Sequence, residues 1–332
     1  MPTLIVASIA PGAGKTALAA ALAAYLSRSG RKVFAGKAWA DDPANDLDVA
    51  AFKALLPHAA TLEPAQVSGA SGAAVAQVRQ IAARIKAAAA GAAVSVIEGQ
   101  AGDAQANTAL AESLDGLVIL VAGVGDDIVQ AARAYGARLA GVVVNNMPRY
   151  RTHRLETEVV PALQQAGVPY LGAIPEDRRL IAPTLNLVAE HLGADFALLP
   201  ENGDRLIDNF LIGGLVLDWG PTYFGSQEDV GVIVRGDRPD VQIAALQTDT
   251  VRAMVLTKGV RPIEYVSYEA GQRGIPIAVS PYNTHETALK LESLLPKIRF
   301  DHPEKLTRMV ELVEAGLDLA GIERAIAQPV TR

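Results

Sequence analysis

Thr3-Leu4-Ile5-Val6-Ala7-Ser8-Ile9-Ala10-Pro11-Gly12-Ala13-Gly14-Lys15-Thr16 decides how this chain is built. An apolar run of strand length gives way to small residues, and Gly14-Lys15-Thr16 opens an alanine-rich stretch, Thr16 to Ser29, that reads as a helix. That order describes a phosphate-binding loop. Small residues let backbone N–H groups close around phosphate oxygens at a helix N-terminus, where Lys15 reaches the β- and γ-phosphates and the Thr16 hydroxyl holds Mg²⁺. Gly12, Ala13, Gly14, Lys15 and Thr16 are therefore the first candidate nucleotide contacts. Ile9 stands where the simplest form of the motif has glycine, which alters local torsion and packing, not the contacts around Gly12 to Lys15.

Outward from the loop, apolar runs alternate with helical stretches. Strands are expected at Arg31 to Ala35, Ala93 to Ile97, Gly116 to Ala122, Gly141 to Asn145 and Tyr170 to Ile174. Helices are expected near Val49 to Leu56, Ala73 to Ala90, Asp126 to Leu139 and Arg151 to Ala166. Strands without period-two alternation, separated by helices, indicate a parallel sheet covered on both faces. The pattern loosens at Ala194 to Asp204, which places a domain boundary at 198/199. Beyond it a smaller α/β domain, 199–332, carries strands at Val230 to Val234, Ala253 to Leu256 and Ile275 to Val279. Its helices are expected near Val241 to Gln247, Glu264 to Arg273 and Thr284 to Leu294, and a helical pair, Pro303 to Ala315 and Ala320 to Ala327, closes the chain.

At 332 residues, half of them apolar, two globular domains are the expectation. With 36 acidic against 30 basic residues and no dense Lys/Arg run, the composition argues against nucleic acid or an anionic membrane as main partner. There is no cysteine, which excludes disulfides, zinc-cysteine sites and thiol catalysis. The N-terminus lacks a signal-peptide pattern and Leu4 to Ile9 is too short to span a bilayer, so a cytoplasmic location is expected.

A Mg²⁺ ion bridging phosphates wants a hydroxyl and one or two carboxylates from nearby strand ends, which selects Thr16, Asp48 and Glu98. Asp48 reads equally as the N-cap of the following helix, with Asp46 as its competitor, and Glu98 as a cap or solvated carboxylate. Lys37 ends the second strand, on the edge where ligands of parallel α/β sheets collect. It can hold a γ-phosphate or an anionic substrate there, or be a surface lysine. Asn145 can present its amide to adenine or form a turn before Pro148. His58, His153, His191, His285 and His302 are scattered singly, and Ser8 has no histidine at hydrolase spacing. In the second domain Arg235-Gly236-Asp237-Arg238-Pro239-Asp240 is a strand end, a tight turn and a helix start. Asp237, Arg238 and, from the next strand end, Thr257 are candidate contacts for a small metabolite, while Arg238 paired to a neighbouring acid is the structural alternative.

Taken together, these motifs resemble the dethiobiotin synthetase-like P-loop domain joined to a DRTGG domain, as found in the N-terminal part of long bacterial phosphotransacetylases and as stand-alone proteins. The likeness rests on Gly12 to Thr16, Gly36-Lys37, Asp46-Leu47-Asp48, Glu98-Gly99, Gly141 to Asn145, Leu171 to Arg178, Gly236-Asp237-Arg238, Asp240, Leu256-Thr257 and Pro303 to Leu306. Ala38, Gln100-Ala101-Gly102 and Pro239 depart from the usual pattern. The resemblance implies ATP and Mg²⁺ as cofactors held by Lys15, Thr16, Asp48 and Glu98, with Lys15 and Lys37 as the catalytic pair. It places Asn145 and Pro175 on the nucleotide side and implies a homodimer. It also implies a nucleotide-dependent regulatory or sensory module with slow ATPase activity, and no phosphate acetyltransferase activity from this polypeptide alone. A dethiobiotin synthetase-type ligase and a non-catalytic dimerising interaction protein are the alternatives.

Overall fold

A computed structural model describes residues 1–56, 59, 64–66, 73–199, 201–214 and 219–327; of 73–76 only the backbone is described, and His58 lies outside these residues. The chain divides into two compact units. Met1–Asp177 and Phe300–Arg332 form the first, Arg178–Arg299 the second.

The first unit is built on strands β1 (Thr3–Ser8), β2 (Val33–Lys37), β5 (Val94–Ala101), β6 (Leu117–Ala122), β7 (Leu139–Met147) and β8 (Tyr170–Pro175), with a short parallel pair, β3 (Trp39–Ala40) and β4 (Ala65–Gln66), beside them. The six main strands are parallel in the order β2-β5-β1-β6-β7-β8. All six residues of β1 are buried, as a strand covered on both faces requires. Helices α1 (Lys15–Arg28) and Pro303–Gly316 pack together. A large apolar cluster joins Ile5, Phe34 and Trp39 to Ile81 and Ile85 of α3 (Ala73–Ala88) and to Leu110 of α4 (Ala104–Leu114). Because β1 lies between β5 and β6, the chain reverses its direction of travel across the sheet there, and the loop after β1 falls at the switch point where ligands of such sheets bind.

The second unit has β9 (Asp195–Leu198), β10 (Asn209–Gly213), β11 (Val230–Arg235), β12 (Val251–Thr257) and β13 (Ile277–Val279) in the order β10-β11-β12-β13-β9. All pairings are parallel except β13 with β9. Val230, Val232, Val234, Met254 and Leu256 face one apolar cluster, while Val255 faces another with Val188, Leu192 and Leu294.

Two expectations about organisation change here. The loosened stretch at 194–204 contains the edge strand β9, and helix Leu185–Leu192 already belongs to the second unit, which starts at Arg178 and not at residue 199. The closing helices belong to the first unit. Gly172 of β8 pairs with Leu317, and a Cβ on Gly172 would lie 2.1 Å from the Gly316 carbonyl oxygen, so two glycines let the returning chain meet the sheet edge.

Candidate nucleotide site

Register brings the candidate residues of the first unit to one edge. Glu98 of β5 is paired with Lys37 of β2 on one side and Val6 of β1 on the other, so the acid and the lysine flank the start of the loop. Gly12 (φ +73) and Gly14 (φ +92) take left-handed conformations that only glycine adopts without strain, and the loop turns into α1 through them. No side chain caps α1, and its first turn holds no acid. An uncapped N-terminus with Lys15 in its first turn is a site for an anion.

Ser8 is not a stray nucleophile: its hydroxyl donates to the Ala10 carbonyl at 2.7 Å, and its own carbonyl accepts from Gly102 N–H at 2.9 Å, bracing both ends of the loop. Asn107 does the same after β5. Its side chain accepts from Gln100 N–H and donates to the Gln100 and Asp103 carbonyls. A Cβ on Gly99 would stand 2.3 Å from Asn107 Oδ1, which explains the glycine directly after Glu98.

Thr16 Oγ1 donates to Asp48 Oδ1 at 3.0 Å, and Lys37 Nζ donates to Asp46 Oδ2 at 2.8 Å and to Asp48 Oδ2. Asp46, not Asp48, caps helix α2 (Leu47–Leu55). Its Oδ1 accepts from Asp48 N–H and Val49 N–H, each at 3.0 Å, which leaves Asp48 free to face Thr16. Lys15 Nζ lies 3.9 Å from Glu98 Oε1. Glu98 is 2% exposed, and its Oε2 has no hydrogen-bond partner among the described residues.

Burial, followed by the neighbouring Asp48 charge, pushes the Glu98 carboxyl up to about 7 against the opposing pull of Lys37 and Lys15. Burial also lowers the Lys15 ammonium, more than Glu98 and Asp48 restore. Lys37 is the reverse case: burial disfavours its charge, but Glu98, Asp46 and Asp48 together raise it above the usual lysine value. No cluster of three His, Asp or Glu side chains suited to a metal occurs among the described residues. A hydroxyl and two carboxylates that leave positions for phosphate oxygens match a Mg²⁺ ion bound with its nucleotide, and the orphaned Glu98 Oε2 fits such a group.

Asn145 lies against the loop: its Nδ2 donates to the Ala13 carbonyl at 2.8 Å, and a Cβ built on Gly14 would stand 2.2 Å from that nitrogen. Pro175 ends β8 beside Met147, whose carbonyl accepts from Glu176 N–H at 3.0 Å.

In the second unit Arg238 is held by Asp240 through bonds of 2.9, 3.3 and 2.8 Å, and Asp237 by Arg235, with Lys258 Nζ 4.0 Å away. The buried Thr257 hydroxyl meets Thr284 Oγ1 at 3.1 Å. These three candidates share the C-terminal edge of β11 and β12, and each already has an intramolecular partner.

Residues 2–184 match the family model described as an AAA domain, and residues 187–294 match that of the DRTGG domain. The chain belongs to the AAA-domain family, with a DRTGG domain following. This agrees with the resemblance read from the loop, Lys37, Glu98 and Gly236-Asp237-Arg238. The phosphate acetyltransferase of Nitrosomonas europaea is 25% identical over 229 residues, 62% of this chain and 33% of the relative. That of Deinococcus radiodurans is 26% identical over 240 residues, 68% of this chain and 34% of the relative. The chain thus spans about a third of the length of the curated relatives it matches. Among solved structures, cobyrinic acid a,c-diamide synthase from Mycobacterium smegmatis with bound ADP and magnesium is 19% identical, covering 54% of this chain and 88% of that one at a TM-score of 0.39. Among the described residues no helix is long and apolar enough to cross a membrane.

Proposed function

We propose that the chain is an ATP–Mg²⁺-binding module of the phosphotransacetylase type, whose DRTGG domain makes it a nucleotide-dependent regulatory protein with slow ATPase activity. One observation carries this reading. Lys15, Thr16, Lys37, Asp48 and Glu98 meet at the uncapped start of α1, two cations for phosphates and a hydroxyl with two carboxylates for a metal. Thr16, Asp48 and Glu98 would hold Mg²⁺, which neutralises phosphate charge when bound. Lys15 and the N-terminus of α1 orient the phosphate chain. Asn145 keeps the loop in its receptive shape by fixing the Ala13 carbonyl. Calorimetric titration of ATP–Mg²⁺ into the wild type and Lys15→Ala tests the reading. Strong binding lost in the variant supports it; equal affinity in both, or no binding in either, refutes it.

Lys37 supports a second reading, a dethiobiotin synthetase-type ligase. Its ammonium shares a charge network with the phosphate loop, where it can neutralise a carboxylate or carbamate receiving a phosphoryl group. Incubation with diaminopelargonate, bicarbonate and ATP separates the two readings: ADP release above background favours the ligase for that substrate, and none excludes it.

A further inference from the structure

Lys37 is placed less like a waiting phosphate ligand than like a cation already in use. Asp46 Oδ2 and Asp48 Oδ2 converge on its Nζ, and neither carboxylate is held there by Lys37 alone. Asp46 is oriented by its cap bonds to Asp48 N–H and Val49 N–H, and Asp48 by the Thr16 hydroxyl on its other oxygen. Lys37 itself comes from the end of a paired strand, opposite Glu98. Two carboxylates aimed at one point by independent anchors need a cation between them, and the ammonium supplies it.

We propose that Lys37 is a resident counter-ion that closes the metal position of Asp48 to free divalent cations, so that the metal enters only together with a phosphate chain. A bare divalent cation must displace an ammonium that Asp46 and Asp48 hold. A phosphate chain gives that ammonium a new anionic partner and frees Asp48 in the same event. Nucleotide and metal binding are thereby coupled through Lys37, and the inference rests on the nucleotide-binding reading above. The side chain acts by positioning and charge, before any chemistry.

Mn²⁺ uptake by the full chain, followed by loss of the free-ion electron paramagnetic resonance signal, provides the test. Wild type, Lys37→Arg, Lys37→Met and Lys37→Gln are compared with and without ADP. Without nucleotide, wild type and Lys37→Arg are expected to bind Mn²⁺ weakly, and the two neutral variants at least about tenfold more tightly, since a unit charge at contact distance is worth at least this factor. Addition of ADP should tighten Mn²⁺ binding in the wild type far more than in the neutral variants. Asp48→Asn in the Lys37→Met background should remove the gain. Nucleotide-free affinities that are equal in wild type and both neutral variants overturn the proposal, as does a gain that survives Asp48→Asn. Should Lys37→Met fail to fold by circular dichroism, Lys37→Gln carries the comparison. A wild type that binds no ATP in calorimetry refutes the parent reading, whereas the nucleotide-free Lys37 comparison is decided without it.

Discussion

Gly14→Ala asks whether Asn145 locks the phosphate loop. Gly14 has φ +92, and a Cβ there would stand 2.2 Å from Asn145 Nδ2 and 3.4 Å from its Cγ. Two costs follow. The left-handed conformation costs an alanine about 1–2 kcal/mol. The Asn145 amide must also swing away, losing its bond to the Ala13 carbonyl, which is worth about 0.5–1.5 kcal/mol. Gly14→Ala should therefore destabilise the first unit by about 2–3 kcal/mol, and by only about 1–2 kcal/mol when Asn145 is already alanine. The difference, about 1 kcal/mol, is the coupling between the two positions. Urea unfolding of the four proteins of this cycle measures it. The readout is selective, because Trp39 in the first unit is 1% exposed while Trp219 in the second is 65% exposed, so the larger fluorescence change on unfolding comes from the first unit. If Gly14→Ala costs the same in both backgrounds, to within about 0.3 kcal/mol, Asn145 does not hold the loop and the positional role fails.

Other consequences are narrower. Asp46→Ala should lower stability by about 1 kcal/mol through loss of the α2 cap, measured by urea unfolding, whereas Asp48→Ala should keep that cap and weaken Mg²⁺-dependent ATP binding in calorimetry. Gly172→Ala should expose the closing helices to limited proteolysis, because its Cβ would meet the Gly316 carbonyl at 2.1 Å in a backbone with φ +127. Asp229 bonds Arg179 and Arg252, which hold its carboxyl below the usual range against the upward pull of partial burial. That stabilisation is complete above the ordinary value of 3.8 and is lost as pH falls through the lower native value. Asp229→Asn should thus lower stability at pH 7 and progressively less toward pH 2, followed by unfolding of the second unit.

The nucleotide edge was legible because its chemistry is local. Gly12 to Thr16 are consecutive, and Lys37, Glu98 and Asn145 each lie at the end of a short apolar run that reads as a buried strand. The choice between Asp46 and Asp48 was not legible. Both lie within one turn of the same helix start, and only the fold shows which carboxylate meets the backbone amides and which meets Thr16. The bond from Asn145 to the Ala13 carbonyl was not legible either, because an amide at a strand end serves a base or a backbone carbonyl equally well, and Ala13 lies 132 residues away in sequence. Strand β9 was read as a linker because it is a short edge strand and only partly buried. The return of 303–327 to the first unit had no sequence signal at all, since amphipathic helices carry no address; Gly172 and Gly316, which admit them, look like ordinary turn residues.

On the proposed ATP–Mg²⁺-binding reading, the charge balance of the edge gives nucleotide and metal a reason to bind together. Two lysines face three carboxylates, a sum of −1 when all are ionised. A bare polyphosphate approaching Lys15 would meet Glu98 and Asp48 as well, and a bare divalent cation approaching Asp48 would meet Lys37. Each alone is attracted by one half of the network and repelled by the other. A nucleotide carrying its metal presents both signs in the order the network displays them, anion toward Lys15 and the start of α1, cation toward Thr16 and Asp48. Substitutions that neutralise one sign should consequently do more than weaken their own ligand. Lys15→Ala is expected to reduce metal uptake in the presence of nucleotide, and Asp48→Ala to reduce nucleotide affinity only when metal is present. Additive, independent losses in calorimetry with and without Mg²⁺ would mean that the two halves of the edge act separately, and that the network is a structural ion cluster beside a phosphate site.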